Sequence, residues 1–117
     1  MEEVLIVVNG PAYGTENAYN ALRLAKAMAE RPETHLRMFL IGEGVSCAIK
    51  EQKPPMGYYN TAKMLSSIIE NGAHVAACGT CLDARGIKDG TLVDGVHRST
   101  MVELAAWTLE SSKVVSF

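Results

Sequence analysis

Val4-Leu5-Ile6-Val7-Val8, closed by Asn9-Gly10-Pro11, is a short, wholly apolar and mostly β-branched run ending on turn residues. A strand without polar alternation is buried on both faces, which is the situation inside a parallel sheet. Parallel neighbours need a crossover between them, so a helix is expected next. After the loop Asn9 to Gly14, Thr15 is the expected N-cap and Glu16 puts a negative charge in the first turn, where the helix dipole favours it. Ala18, Ala21, Leu22, Ala25, Met28 and Ala29 then recur at three- and four-residue spacing, with Asn17, Asn20, Arg23, Lys26 and Glu30 on the outer side. This amphipathic helix is expected to end near Arg31-Pro32.

The same alternation continues. His35 to Ile41 reads as a second buried strand, stopped at Gly42-Glu43-Gly44, and Val45 to Lys50 as a short helix holding Cys47 as a small buried residue. Gln52 to Tyr59 is too rich in Pro and Gly for regular structure. Asn60 or Thr61 then caps a helix whose apolar side is Met64, Leu65, Ile68 and Ile69, and Asn71-Gly72 ends it. Ala73 to Ala77 is a third strand with Cys78 at its C-terminal end. Leu82 to Gly86 makes about one helical turn. Gly90 to Val96 is a connector with a weak strand at Thr91-Leu92-Val93. Thr100-Met101-Val102-Glu103 matches a capping box, ahead of a last helix expected to bury Val102, Ala105, Ala106 and Leu109. Lys113 to Phe117 closes the chain as a strand. Residues 1–117 therefore read as one α/β domain: a three-layer α/β/α sandwich on a mostly parallel sheet of about five strands, flavodoxin/Rossmann-like, with chemistry at the strands' carboxyl ends.

Composition sets the outer bounds. With 117 residues, 48% hydrophobic and 21% charged, the chain is long enough to bury one real core without disulfide or metal staples. Eleven basic against thirteen acidic residues give a formal net charge of −2 with no basic run, which argues against duplex nucleic acid and anionic membrane as partners. The longest apolar stretch, Val4 to Val8, falls far short of the ~20 residues of a membrane helix. A signal or transit segment is not expected ahead of Val4.

Three cysteines, Cys47, Cys78 and Cys81, are an odd count that suits reduced thiols in a cytoplasm better than a disulfide framework. Cys78-Gly79-Thr80-Cys81 is compatible with several chemistries. A zinc site would need two more ligands from the scattered His35, His74, His97 and Cys47, so no metal is expected. A thioredoxin-like pair, a single sulfur-accepting nucleophile and a buried inert pair all stay open. Geometry favours reactivity: with Thr80 as N-cap and Asp83 three residues later, both thiols would lie near unpaired amides that stabilise thiolate. Arg85 adds a permanent cation nearby. Gly10-Pro11-Ala12-Tyr13-Gly14 lacks both dinucleotide and Walker spacing, so no cofactor is expected. His97 and Ser99 with Asp94 carry no nucleophile-elbow motif to support a hydrolase.

Taken in order, Val8-Asn9-Gly10, Tyr13-Gly14, Ala21-Leu22-Arg23-Leu24-Ala25, Gln52-Lys53-Pro54, Gly57-Tyr58, Cys78-Gly79-Thr80-Cys81 with Asp83, Arg85 and Gly86, Asp94-Gly95-Val96 and Leu104-Ala105-Ala106-Trp107-Thr108-Leu109 resemble the DsrE/DsrF-like family, most closely its small YchN-like members. The resemblance spans the whole chain. It implies trimers or hexamers of one chain and, in the sulfurtransferase members, a persulfide carried on a cysteine and handed to a partner protein. The counterpart of that cysteine is Cys78. Cys81 stands where the relay subunits tend to have a small apolar residue. The expectation is therefore a cytoplasmic sulfur-handling protein, a persulfide carrier or sulfurtransferase acting through Cys78, Cys81 and Arg85, with sulfur donor and acceptor proteins as partners. The alternative is a non-enzymatic oligomeric binding or thiol redox-sensing module.

Overall fold

Glu2–Val8 forms the first strand, β1, and the computed structural model describes all of residues 1–117. Val4, Leu5, Ile6 and Val8 are all buried, as a strand covered on both faces requires. β1 pairs in parallel with β2 (Thr34–Leu40) on one side and with β5 (Lys113–Ser116) on the other. β3 (His74–Cys78) pairs with β2, and β4 (Val96–Ser99) forms the edge beyond it. The order is β4-β3-β2-β1-β5, and every pairing is parallel.

Helices α1 (Asn17–Ala29), α2 (Thr61–Glu70) and α3 (Gly79–Ala84) carry the chain one strand at a time from β1 to β4. Right-handed crossovers in one direction put these helices on one face, where α1 packs on α2. α4 (Met101–Glu110) returns the chain past β1 to β5 and so lies on the opposite face. The expected α/β/α sandwich is the result. Between the layers, α1 buries Ala18, Ala21, Leu22 and Ala25, α2 buries Leu65 and Ile68, and on the far side Trp107 meets Phe39 edge to face at 6.3 Å.

Several local expectations are corrected. α1 starts at Asn17 behind Glu16, without the Thr15 cap and with no side-chain cap bond. Asn60, of the two candidates, caps α2 by accepting the Lys63 N–H at 3.1 Å. Val45 to Lys50 is no α-helix: Gly42–Ala48 winds as a 3-10 turn. The fourth strand is not Thr91-Leu92-Val93. Asp89–Thr91 is another 3-10 turn, and Leu92 makes only an isolated bridge to Ile49. Leu92 and Val93 are apolar because they are buried there, with the Val93 N–H bonded to the Ala48 carbonyl. The strand itself, Val96–Ser99, lies at the sheet edge and is half-exposed, so it carries no apolar run.

The last helix is turned the other way. Val102, Ala105, Ala106 and Leu109 are exposed, and Trp107 is its buried residue. The sheet beneath α4 displays His97 and Arg37, which take the Glu103 and Glu110 carboxylates at 2.5 and 2.7 Å. With α4 tied to the sheet through these two side-chain contacts, the apolar stripe points out. Thr100 does cap α4, accepting the Glu103 N–H at 3.3 Å, but the Glu103 carboxylate binds Ser99 and His97 instead of closing a capping box.

Candidate functional site

Val75, Ala76 and Ala77 anchor β3 in the core and deliver Cys78 to the carboxyl edge of the sheet. α3 follows without a loop, so Cys78 itself occupies the cap position and Thr80 lies within the first turn. This corrects the expectation that Thr80 caps. Its hydroxyl is instead 3.3 Å from the Cys78 Sγ. The Cys81 thiol stands three residues along, in the same first turn of α3. Cys81 in turn accepts the Gly42 N–H at 3.2 Å from the turn after β2. Gly42 holds φ +58°, a left-handed conformation suited to glycine.

These contacts separate the two thiols. Burial pushes Cys78 up, but the Cys81 thiol, the Thr80 hydroxyl and the backbone N–H groups of Cys81 and Thr80 outweigh it and hold Cys78 below the ordinary thiol range. Burial also pushes Cys81 up, and there the bond donated to Cys78 and the charge on that sulfur add to the rise against the opposing Gly42 N–H and Arg85. Cys78 is the readier thiolate of the pair. Cys47 is buried, its pKa pushed up to about 12, with its thiol directed 3.9 Å from the Gly10 carbonyl.

Arg85 stands on the Cys81 side, donating to the Cys81 carbonyl at 3.1 Å and paired with Glu43 at 2.7 Å. On the other side, Cys78 opens into a cavity of about 300 Å³ lined by Thr80, Arg98, Ser99, Thr100 and Met101 among others. Arg98 spans its rim, donating to the Gly79 carbonyl at 3.1 Å and pairing with Asp83 and Asp89 at 2.9 and 3.0 Å. Ser99, opposite Cys78 in the β3/β4 register, donates to the Glu103 carboxylate, which also holds His97. The cation is thus balanced by two acids, and the cavity is not strongly cationic.

Ser99 and His97 share Glu103 rather than forming a nucleophile–base pair. In the loop Gln52 to Tyr59, Tyr59 stacks with Tyr13 and with Tyr19, the latter at 4.1 Å, and Tyr58 lies tilted against Tyr13. No three His, Cys, Asp or Glu side chains come together to hold a metal ion. Sequence reasoning picked out Cys78, Cys81 and Arg85 and put the Gly42 to Gly44 turn among the loops at the strands' carboxyl ends, but missed Arg98 and the contacts of Gly42 and Thr80 with the two sulfurs. Arg98 reaches the site through strand register, which no local spacing encodes.

The DsrE/DsrF-like family model matches residues 2–117. The Escherichia coli K12 protein YchN is 43% identical over the full length of both chains. Its crystal structure superposes with a TM-score of 0.94, also covering both chains completely. The Salmonella typhi sulfurtransferase TusD is 31% identical, covering 96% of this chain and 97% of its own.

Proposed function

The chain belongs to the DsrE/DsrF-like family, and from that premise we propose that it is a cytoplasmic, homo-oligomeric persulfide carrier or sulfurtransferase in which Cys78 takes up and passes on sulfane sulfur. Its likeness to TusD supports a general role in sulfur relay. The observation that carries the finer reading is the Cys78 sulfur at the cap of α3, 3.3 Å from the Thr80 hydroxyl and open to a cavity, with its pKa held below the ordinary thiol range. In the first step the Cys78 thiolate attacks the terminal sulfur of a persulfide donor. A new S–S bond forms on Cys78, the donor's S–S bond breaks, and the donor leaves as thiolate. Release to an acceptor thiol repeats the exchange with Cys78 as the leaving thiolate.

Arg85 and the local amides favour the anion at each exchange. The outward apolar stripe of α4 supports assembly with further copies of this chain, as a trimer or a hexamer. Donor and acceptor are proteins carrying a persulfide and a thiol respectively, and residues 1–117 act as one domain. The test is the intact mass of the wild type and of C78S after incubation with glutathione persulfide. Quenched at short times, the wild type is expected to gain sulfur at Cys78 and C78S to gain none; a wild type that shows neither that gain nor release of sulfide, under conditions that load a known carrier, would sink the reading.

The contact between Cys78 and Cys81 supports a second reading, a thiol switch that only cycles between dithiol and disulfide. A reduction potential near the cytosolic poise together with no sulfur uptake distinguishes it.

A further inference from the structure

Cys78 lines the cavity between α3 and β4, and Cys81 does not. Cys81 stands on the other side, three residues on in the first turn of α3, with the Gly42 N–H on its sulfur at 3.2 Å. A persulfide lengthens the side chain by one sulfur, and the cavity is where that atom has room. The outer sulfur therefore lies among Thr80, Ser99 and Arg98, while the inner sulfur keeps its neighbour Cys81, three residues along the first turn of α3. We infer that Cys81 is a resolving thiol, which attacks the inner sulfur of a Cys78 persulfide and discharges the outer sulfur as hydrogen sulfide, leaving a Cys78–Cys81 disulfide. This step rests on the carrier reading above and adds an activity to it.

The balance is closed within the site. The Cys81 sulfur forms a bond to the Cys78 sulfur as the persulfide S–S bond breaks. The outer sulfur leaves with that electron pair and is reduced, the Cys81 sulfur is oxidised, and the Cys81 proton ends on the departing sulfide. Attack on the outer sulfur would instead move the sulfane sulfur onto Cys81, but that atom sits in the cavity, away from the side Cys81 occupies.

Loading also changes the resolving thiol. In the unloaded protein the bond to the Cys78 sulfur and the charge on it both hold the Cys81 proton in place. Once Cys78 carries sulfur the negative charge moves one sulfur further out, into the cavity, and the inner atom becomes a weaker acceptor, so both of these influences weaken. The Gly42 N–H at 3.2 Å and the Arg85 guanidinium then remain to favour the Cys81 thiolate. Cys81 is idle while Cys78 is empty and armed when it is full. A partner that takes the sulfur must reach the cavity before discharge does.

The experiment loads wild type and C81S with glutathione persulfide, removes the donor by rapid anaerobic desalting, and follows intact mass and released sulfide with no acceptor present. Serine keeps a hydrogen-bond donor beside Cys78, and C81A, run in parallel, controls for that hydroxyl. Wild type is expected to lose its extra sulfur, become two hydrogens lighter than the reduced chain, and release one equivalent of sulfide. Both variants are expected to hold the sulfur and release none. If wild type holds its sulfur as long as the variants, the resolving role is overturned and the carrier reading stands. If no protein takes up sulfur at Cys78, both fall.

Discussion

Three thiols share this chain, and their surroundings set three different reactivities. A depressed pKa means that the thiolate form of Cys78 is reached at lower pH than in an ordinary cysteine, so its alkylation by iodoacetamide should already be fast on the acidic side of the usual thiol midpoint. Replacing Thr80 by Ala removes one of the bonds that lower it and should move the midpoint up toward the ordinary value. Cys81, raised while Cys78 is an anion, should label later in the same titration, and Cys47 only after unfolding. A pH series read by peptide mass spectrometry checks all three, and equal labelling of Cys78 and Cys47 in the native protein would contradict the assignment. The Cys78, Cys81 and Arg85 cluster was legible because all three lie within eight residues of one another. Arg98 was not, since it arrives from the β4 crossover, and the Gly42 to Gly44 turn was legible as a loop at the strand ends but not as a contact on Cys81.

At the scale of elements, what could be read depended on whether a segment's pattern answers to the core. β1, β2, α1 and α2 are buried along the positions their periodicity marks, and their apolar runs announced them. β4 is an edge strand that needs no such run, and α4 was misoriented because its outward stripe is as apolar as a core face. Periodicity reports that a helix has an apolar face but not whether that face meets its own sheet. The turn after β2 tests the packing directly. A Cβ on Gly44 would lie 2.1 Å from the Val8 carbonyl oxygen, a backbone atom at the end of β1. Gly44→Ala should therefore destabilise the fold by about 3 kcal/mol, seen as a lower urea midpoint. An unchanged midpoint would show that the turn yields more freely than its contact with β1 allows.

For the molecule as a whole, a parallel sheet ordered β4-β3-β2-β1-β5 gathers the β2 turn, the end of β3 and the start of α4 along one edge, where the thiol pair stands. The opposite layer is α4 alone, with Val102 and Leu109 80% and 88% exposed. A second copy of the chain covering this stripe is the assembly the proposed function calls for. L109E should then lower the mass measured by light scattering while leaving the far-ultraviolet spectrum unchanged. A mass equal to one chain for the unaltered protein would contradict that assembly. The alternation of strand and helix made the three layers legible from the sequence, whereas the outward turn of α4 was not, because an exposed apolar stripe and a buried one share the same pattern. The central claim is that sulfur is carried on Cys78. It is tested most directly by treating the protein with glutathione persulfide, quenching at short times with an alkylating agent, and mapping the added mass by peptide. The account predicts a single extra sulfur on Cys78 with Cys47 untouched; no extra sulfur, or sulfur first on Cys81 with Cys78 bare, would contradict it.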